Sequence, residues 1–194
     1  MSILTLSDKE LFSLIAKNDK RALEVVYNRY APILFSLIQK VINDTKTSER
    51  LLADLFLIIW KVAPRINFEI VSPFVWLITL GRNFSVDFVR RYRSEEFNKI
   101  PFNDEYEKKF IIPITIEHKG SIDLKKAMEM KERISSSIND LTESQGHVLL
   151  LGIYGGLTNE EIAESLNIPV DAIRSKIKIA LENLQVNFQK GAGN

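Results

Sequence analysis

Apolar residues recur at three- and four-residue intervals along most of this chain, and they predict a run of amphipathic helices. Over residues 7–93 the pattern is nearly continuous. Ser7 with Glu10 three positions later forms a capping-box pattern, and Leu11, Leu14 and Ile15 follow at helical spacing. A longer stretch places Leu23, Val26, Tyr30, Leu34, Leu37 and Val41 on one face. Residues 43–48 are polar and read as a turn. The next helix carries Leu51, Leu52, Leu55, Phe56 and Ile59, and Pro64 stops it. Ser72-Pro73 then supplies a cap and a first-position proline for a helix reaching about Arg93.

From residue 94 to about 122 the helical period disappears. Pro101, Pro113 and Gly120 interrupt the segment, and its acids (Glu95, Glu96, Asp104, Glu105, Glu107, Glu117) outnumber its lysines. The stretch IIPITIE suits a short extended piece, although its proline argues against a central strand. A structureless connection this long is unusual inside one compact domain, so the segment reads as a linker. Periodicity returns at Leu124, with helices expected at about 124–138, 143–154, 159–166 and 170–187. Thr142 with Gln145 and Thr158 with Glu161 repeat the capping-box pattern, and Gly155-Gly156 separates the second helix from the third. The expected fold is all-α: two small helical domains, 1–93 and 124–194, joined by a flexible linker at 94–123. Within them the folded parts are about 8–93 and 124–188.

Composition narrows the classes of function. The 194 residues include no cysteine, so neither a disulfide framework nor a thiolate metal site is possible. The opening MSILTLSDKELF lacks the basic stretch and long apolar run of a signal peptide. No uncharged apolar stretch approaches the ~18 residues that a membrane helix needs. A soluble, cytoplasmic protein without membrane insertion is expected. Only His118 and His147 are present, and no phosphate-binding glycine loop, metal-ligand spacing or nucleophile–base order stands out. No catalytic site, metal or cofactor is therefore expected. The formal net charge is only +1, whereas a stand-alone duplex-DNA binder is usually far more basic. Nucleic-acid binding would have to rest on local basic patches, or on a partner that supplies most of the affinity.

Such a patch lies in GGLTNEEIAESLNIPVDAIRSKIKIALENL. A short helix turns Ile162, Ala163 and Leu166 inward. Asn167 suits a left-handed turn position, Pro169 opens the next helix, and Ile173, Ile177 and Leu181 make that helix's expected buried stripe. Arg174, Lys176 and Lys178 are left to point outward. This is the sequence form of a helix-turn-helix, whose second helix enters a major groove. The plain alternative is an αα-hairpin with a solvated lysine face.

With these residues in view, the chain resembles the sigma-70 family, specifically the small extracytoplasmic-function (ECF) sigma factors. The C-terminal half is similar to their region 4, which reads the −35 promoter element. The N-terminal half is similar to region 2 through ALEVVYNRYAPILFSLIQKVI, SERLLADLFLIIWKV and SPFVWLITLGRNFSVDFVRRYR. In the last stretch the family pattern falls at Phe74, Trp76-Leu77, Arg82-Asn83, Asp87 and Arg90-Arg91. The resemblance implies a subunit that recruits core RNA polymerase to promoters, melts the −10 element and captures flipped non-template bases. It also implies an anti-sigma inhibitor as a partner. The implied −10 residues are Trp76, Arg82, Asn83, Asp87, Arg90 and Arg91. The implied −35 residues are Arg174, Ser175, Lys176 and Lys178. In the polymerase clamp-binding helix only Asp54 keeps the family's acidic character, where RLLAD stands for D-L-V-Q-E. The apolar Ile58-Ile59 that follows suggests an enlarged protein-binding surface.

The residues themselves are consistent with that implication. Melting needs cations for the backbone and shaped or aromatic pockets for exposed bases. On the 73–93 helix Phe74, Leu77, Ile78, Gly81, Phe84 and Phe88 form a core stripe, while Trp76, Asn83, Asp87 and Arg90 share another face. An interdomain anchor at Trp76 and a surface ion pair at Asp87 are the structural alternatives. The loop at 65–71 is where the resemblance places a flipped base. An autonomous dimeric helix-turn-helix regulator, without polymerase-core binding, is the rival function.

Overall fold

The structure, a computed structural model, describes residues 2–112 and 124–190. All regular elements among the described residues are helical. The chain divides into two compact units, 1–123 and 124–194. The stretch IIPITIE falls outside the described residues beyond Ile112, as does His118.

The first unit is built on four helices. A single turn of 3-10 helix (Ile3–Thr5) leads into α1 (Asp8–Ile15), then α2 (Lys20–Ile42), α3 (Thr45–Val62) and α4 (Pro73–Arg93). Ser7 accepts from the Glu10 main-chain N–H, and the Glu10 carboxylate returns to Ser7, so the capping box is complete. The polar turn at 43–48 is tighter than the sequence pattern suggests. Asn43 takes the left-handed conformation (φ 56°) and Asp44 already caps α3 through the Thr47 N–H at 2.7 Å. Helix α3 ends at Val62, two residues before Pro64, in a 3-10 turn over Ala63–Arg65.

The core of this unit lies where α2 crosses α3 and α4. Leu34, Ile38, Leu55, Ile59, Leu77 and Leu80 are fully buried there. Burial of a side chain of this size stabilises the fold by about 1.5–3 kcal/mol. Gly81 permits the close crossing: a Cβ at that position would sit 3.1 Å from Leu34 Cδ2 and 3.4 Å from Leu55 Cδ2. Helix α1 closes the same core with Leu11, Phe12 and Ile15, and Asp8 accepts hydrogen bonds from Arg29 and the Tyr30 hydroxyl on α2.

The expected linker is only partly a linker. Residues 95–111 form two short helices, α5 (Glu95–Asn98) and α6 (Asp104–Tyr106), followed by a π turn over Glu107–Ile111. Tyr106, Glu107 and Ile111 are buried within the first unit. No helical period announced these turns because each is shorter than one amphipathic repeat.

The second unit contains α7 (Leu124–Glu129), α8 (Lys131–Asn139), α9 (Glu143–Ile153), α10 (Asn159–Leu166) and α11 (Val170–Lys190). The single helix expected at 124–138 is divided at Met130. The capping boxes at Thr142 and Thr158 both form. Val148, Ile162, Ala163 and Ile173 make the core, with Leu151, Leu166 and Ile177 packed around it. Gly156 holds a positive φ of 63° between α9 and α10, a conformation that side chains disfavour.

Candidate nucleic-acid interface

Helix α4 begins under a Ser72 cap, and its first turns lie against α1. That packing settles Trp76, which the sequence placed on an outward face with Asn83, Asp87 and Arg90. The indole is 2% exposed. It meets Phe12 edge-on at 6.0 Å and Phe68 at 5.4 Å, and the Phe12 and Phe68 rings lie 4.4 Å apart. The expectation of a DNA-facing Trp76 is thus corrected, because α1 covers the side of α4 from which the indole projects. Its role is to pin Phe68, and with it the loop at 65–71. In that loop Phe68 and Val71 are buried while Asn67 and Ile70 are exposed, and Lys9 donates to the Glu69 carbonyl at 3.0 Å. The expected core stripe is also shifted: Leu77, Gly81 and Phe84 are buried, but Phe74, Ile78 and Phe88 are only half-buried.

The polar members of the expected −10 set lie further along α4. Asn83 Nδ2 donates to the Ile111 carbonyl at 3.1 Å, and Arg82 Nη1 donates to Asn83 Oδ1 at 3.3 Å. Asp87 is buried rather than on the surface. It accepts from the Tyr106 hydroxyl and from Arg91 Nε, the latter at 3.3 Å. Burial raises the Asp87 carboxyl above its ordinary value, against the opposing effects of the Tyr106 hydrogen bond and the Arg91 and Arg90 charges. The Tyr106 phenol is pushed up to about 12, first by burial and then by its bond to Asp87. The Arg91 guanidinium lies 4.0 Å from the Tyr106 ring centroid and 5.2 Å from that of Phe102. Arg82 is held below the usual guanidinium range by burial and by the neighbouring charge of Arg90. Cations crowded and desolvated in this way favour an approaching anion. The structure therefore brings Arg82, Asn83, Asp87, Arg90 and Arg91 together and leaves Trp76 apart from them.

Asp54 is half-buried on α3, with Arg50 and Ala53 exposed beside it and Leu57 69% exposed one turn on. Ile58 and Ile59, expected to enlarge a protein-binding surface, are instead core residues at 7% and 0% exposure. Their hydrophobicity serves the α2–α3 packing, so Leu57 is the apolar contribution of this face.

In the second unit, α10 and α11 are joined by Asn167 in the left-handed conformation (φ 53°, ψ 47°). The Ile168 N–H returns to the Ala163 carbonyl at 3.1 Å, which closes the end of α10. Ile173 is fully buried and Ile177 half-buried, but Leu181 is 50% exposed, and Ala180 takes its expected place in the core. The buried stripe follows Ile173, Ile177, Ala180 and Leu184 because α8 also packs on α11. Arg174, Ser175 and Lys178 are exposed. Arg174 pairs with Glu160 at 3.1 Å and Asp171 at 3.3 Å, and Lys178 lies 3.9 Å from Glu182. Lys176 is separate from this row: its ammonium donates to Ser144 Oγ on α9 at 2.9 Å.

Sequence reasoning missed Phe12 and Phe68, which hold the loop, and Tyr106 and Ile111, which cover α4. One signal was available for Tyr106. Asn103 caps the short helix before it, accepting from the Tyr106 N–H at 2.9 Å. Among the described residues no group of three or more His, Asp or Glu is placed to hold a metal, and no helix is long and apolar enough to cross a membrane.

Comparison with known proteins finds similarity to sigma factors. Residues 131–184, the stretch from α8 through most of α11, match the family model of sigma-70 region 4. The ECF RNA polymerase sigma factor SigK of Mycobacterium ulcerans is 24% identical over 171 residues, covering 88% of each chain. Its counterpart in Mycobacterium tuberculosis H37Rv is 24% identical over 173 residues at the same coverage. Among solved structures, Rhodobacter sphaeroides SigE in complex with the anti-sigma ChrR is 20% identical, with a TM-score of 0.43. That match covers 93% of this chain and 98% of the other. The sigma factor RpoE of Bartonella quintana, with the anti-sigma factor NepR, is 19% identical at a TM-score of 0.34, covering 86% and 96%. The region 4 match coincides with the helix-turn-helix, and the chain is similar over most of its length to RNA polymerase sigma factors of the ECF type.

Proposed function

We propose that this chain directs core RNA polymerase to promoters and initiates transcription there. The observation that carries the reading is the coincidence of the α10–Asn167–α11 helix-turn-helix with the region 4 match. In this reading residues 124–194 contact the −35 element through Arg174, Ser175 and Lys178, with Lys176 bracing α11 against α9. Residues 1–93 bind the polymerase clamp through the Asp54–Leu57 face of α3 and engage the melted −10 strand through Arg82, Asn83, Arg90 and Arg91. Asp87 positions Arg91. The loop at 65–71, pinned by Phe68, receives a flipped base.

The division of labour follows from charge. A net charge of +1 gives little long-range attraction to duplex DNA, so polymerase supplies most of the affinity and this chain supplies selectivity. The chain carries no catalytic group of its own and works in the cytoplasm beside polymerase. A protein inhibitor of the anti-sigma class is the further partner that the similarity to ECF sigma factors suggests. The test is a pull-down of core polymerase by the tagged chain, followed by run-off transcription from a promoter library. Retention of core and discrete start sites are expected. Failure to retain core, with stable dimers on a palindromic site, would establish an autonomous regulator instead.

A further inference from the structure

The face of α4 assigned to the −10 strand is already occupied. Asn83 donates to the Ile111 carbonyl at 3.1 Å while its oxygen accepts from Arg82, so both ends of its amide are engaged. Asp87 holds the Tyr106 hydroxyl. Arg91 donates to the Ile100 carbonyl at 3.2 Å and lies over the Tyr106 and Phe102 rings. One turn of α3 fastens the same segment from the side: Lys61 reaches Asp104 at 2.8 Å and Glu107 at 3.0 Å. We propose that residues 94–112 form an autoinhibitory strap, and that the strap and the melted promoter strand occupy this face of α4 by turns.

Three features suit the segment to that role. It offers carboxylates and main-chain carbonyls to Lys61, Asn83 and Arg91, the kinds of acceptor a phosphate backbone and base edges would offer to the same groups. Tyr106 and Phe102 lie against Arg91 where a base would stack. Finally, the strap is weakly built. Helical turns of three to five residues are unstable without tertiary support, and the apolar anchoring comes from Tyr106 and Ile111, while Ile100 and Phe102 stay 38% and 50% exposed. A segment of this kind opens more readily than the α2–α3–α4 core beneath it. Displacement exchanges hydrogen bonds to the strap for hydrogen bonds to DNA, so the bound strand need not leave buried donors unpaired.

The proposal rests on the reading of α4 as the −10 face, and the experiment separates the two. Full-length chain is reconstituted with core polymerase, and a fluorescein-labelled 12-nucleotide single strand, selected by this holoenzyme from a randomised pool, serves as probe. The released variant, Tyr106→Ala with Ile111→Ala, should bind it about tenfold or more tighter, since apparent affinity scales with the open fraction. In a second arm, Lys61→Cys with Asp104→Cys is joined by a reducible bis-methanethiosulfonate. The native chain has no cysteine, so joining the pair in the isolated chain, before core polymerase is added, confines the reaction to these two positions. The tethered holoenzyme should bind the probe at least about tenfold more weakly, and dithiothreitol should restore it. Equal affinity before and after reduction overturns the strap, and this arm decides if the released variant does not fold. If Asn83→Ala fails to weaken probe binding in the reduced chain, the −10 reading of α4 falls, and the proposal with it.

Discussion

Trp76 offers the sharpest test of the placement of these residues. A −10 contact predicts that its removal harms promoter use and spares stability; a core position predicts the reverse. The indole is 2% exposed between Phe12 and Phe68, so Trp76→Ala should cost about 3–5 kcal/mol. Trp76→Phe separates packing from hydrogen bonding. The indole Nε1 is buried with no hydrogen-bond partner in the structure. Replacing it loses roughly 2 kcal/mol of apolar burial. It also removes an unsatisfied donor whose desolvation costs about 1–3 kcal/mol. The two effects offset, and Trp76→Phe should lie within about 1.5 kcal/mol of the parent. The assay is urea unfolding of the full chain followed by tryptophan fluorescence. The chain has two tryptophans, both in the first unit, so Trp60 remains as a reporter there in every variant. A near-neutral Trp76→Ala that abolishes −10 selectivity would refute the packing argument and restore Trp76 to the DNA face. A Trp76→Phe as damaging as Trp76→Ala would show that the N–H has a partner.

The remaining predictions concern the strap and the helix-turn-helix. The Tyr106 phenol should ionise near pH 12, as a 295 nm absorbance step that is missing in Tyr106→Phe. Its folded value lies above the unfolded one, so the stability it contributes is fully present below about pH 10 and is lost as pH rises through about 12. Ile173→Ala should cost about 2–5 kcal/mol. Leu181→Ala should cost under about 0.5 kcal/mol. Amide hydrogen exchange across α9–α11 distinguishes them, and equal losses would contradict the observed phase of the buried stripe. Arg174 and Lys178 alone should give duplex-DNA binding a log–log salt slope of roughly −1.8. In anisotropy titrations Lys178→Ala should reduce that slope by about 0.9. Lys176→Ala, whose ammonium is held by Ser144, should leave it unchanged.

Where an element depends on neighbours three or four residues away, the chain alone determined it. The capping boxes at Ser7, Thr142 and Thr158 formed as their Glu and Gln partners required. Asn167 took the left-handed turn because its short polar side chain tolerates that conformation, and α10 spans the expected 159–166. The all-helical class and the helix-turn-helix follow from such local choices and from the helical period. Tertiary structure decided which of two apolar faces becomes core. Helix α4 carries aromatic residues on more than one side, and α1 selected the side that buries Trp76. Helix α11 could bury Leu181 or Ala180, and the docking of α8 selected Ala180. The covering of Asn83 and Asp87 was equally hidden, because Tyr106 and Ile111 lie on turns too short to show a period. Burial is a property of the assembled surface, and a contact between residues 19 or 28 positions apart leaves no trace in the spacing of either partner.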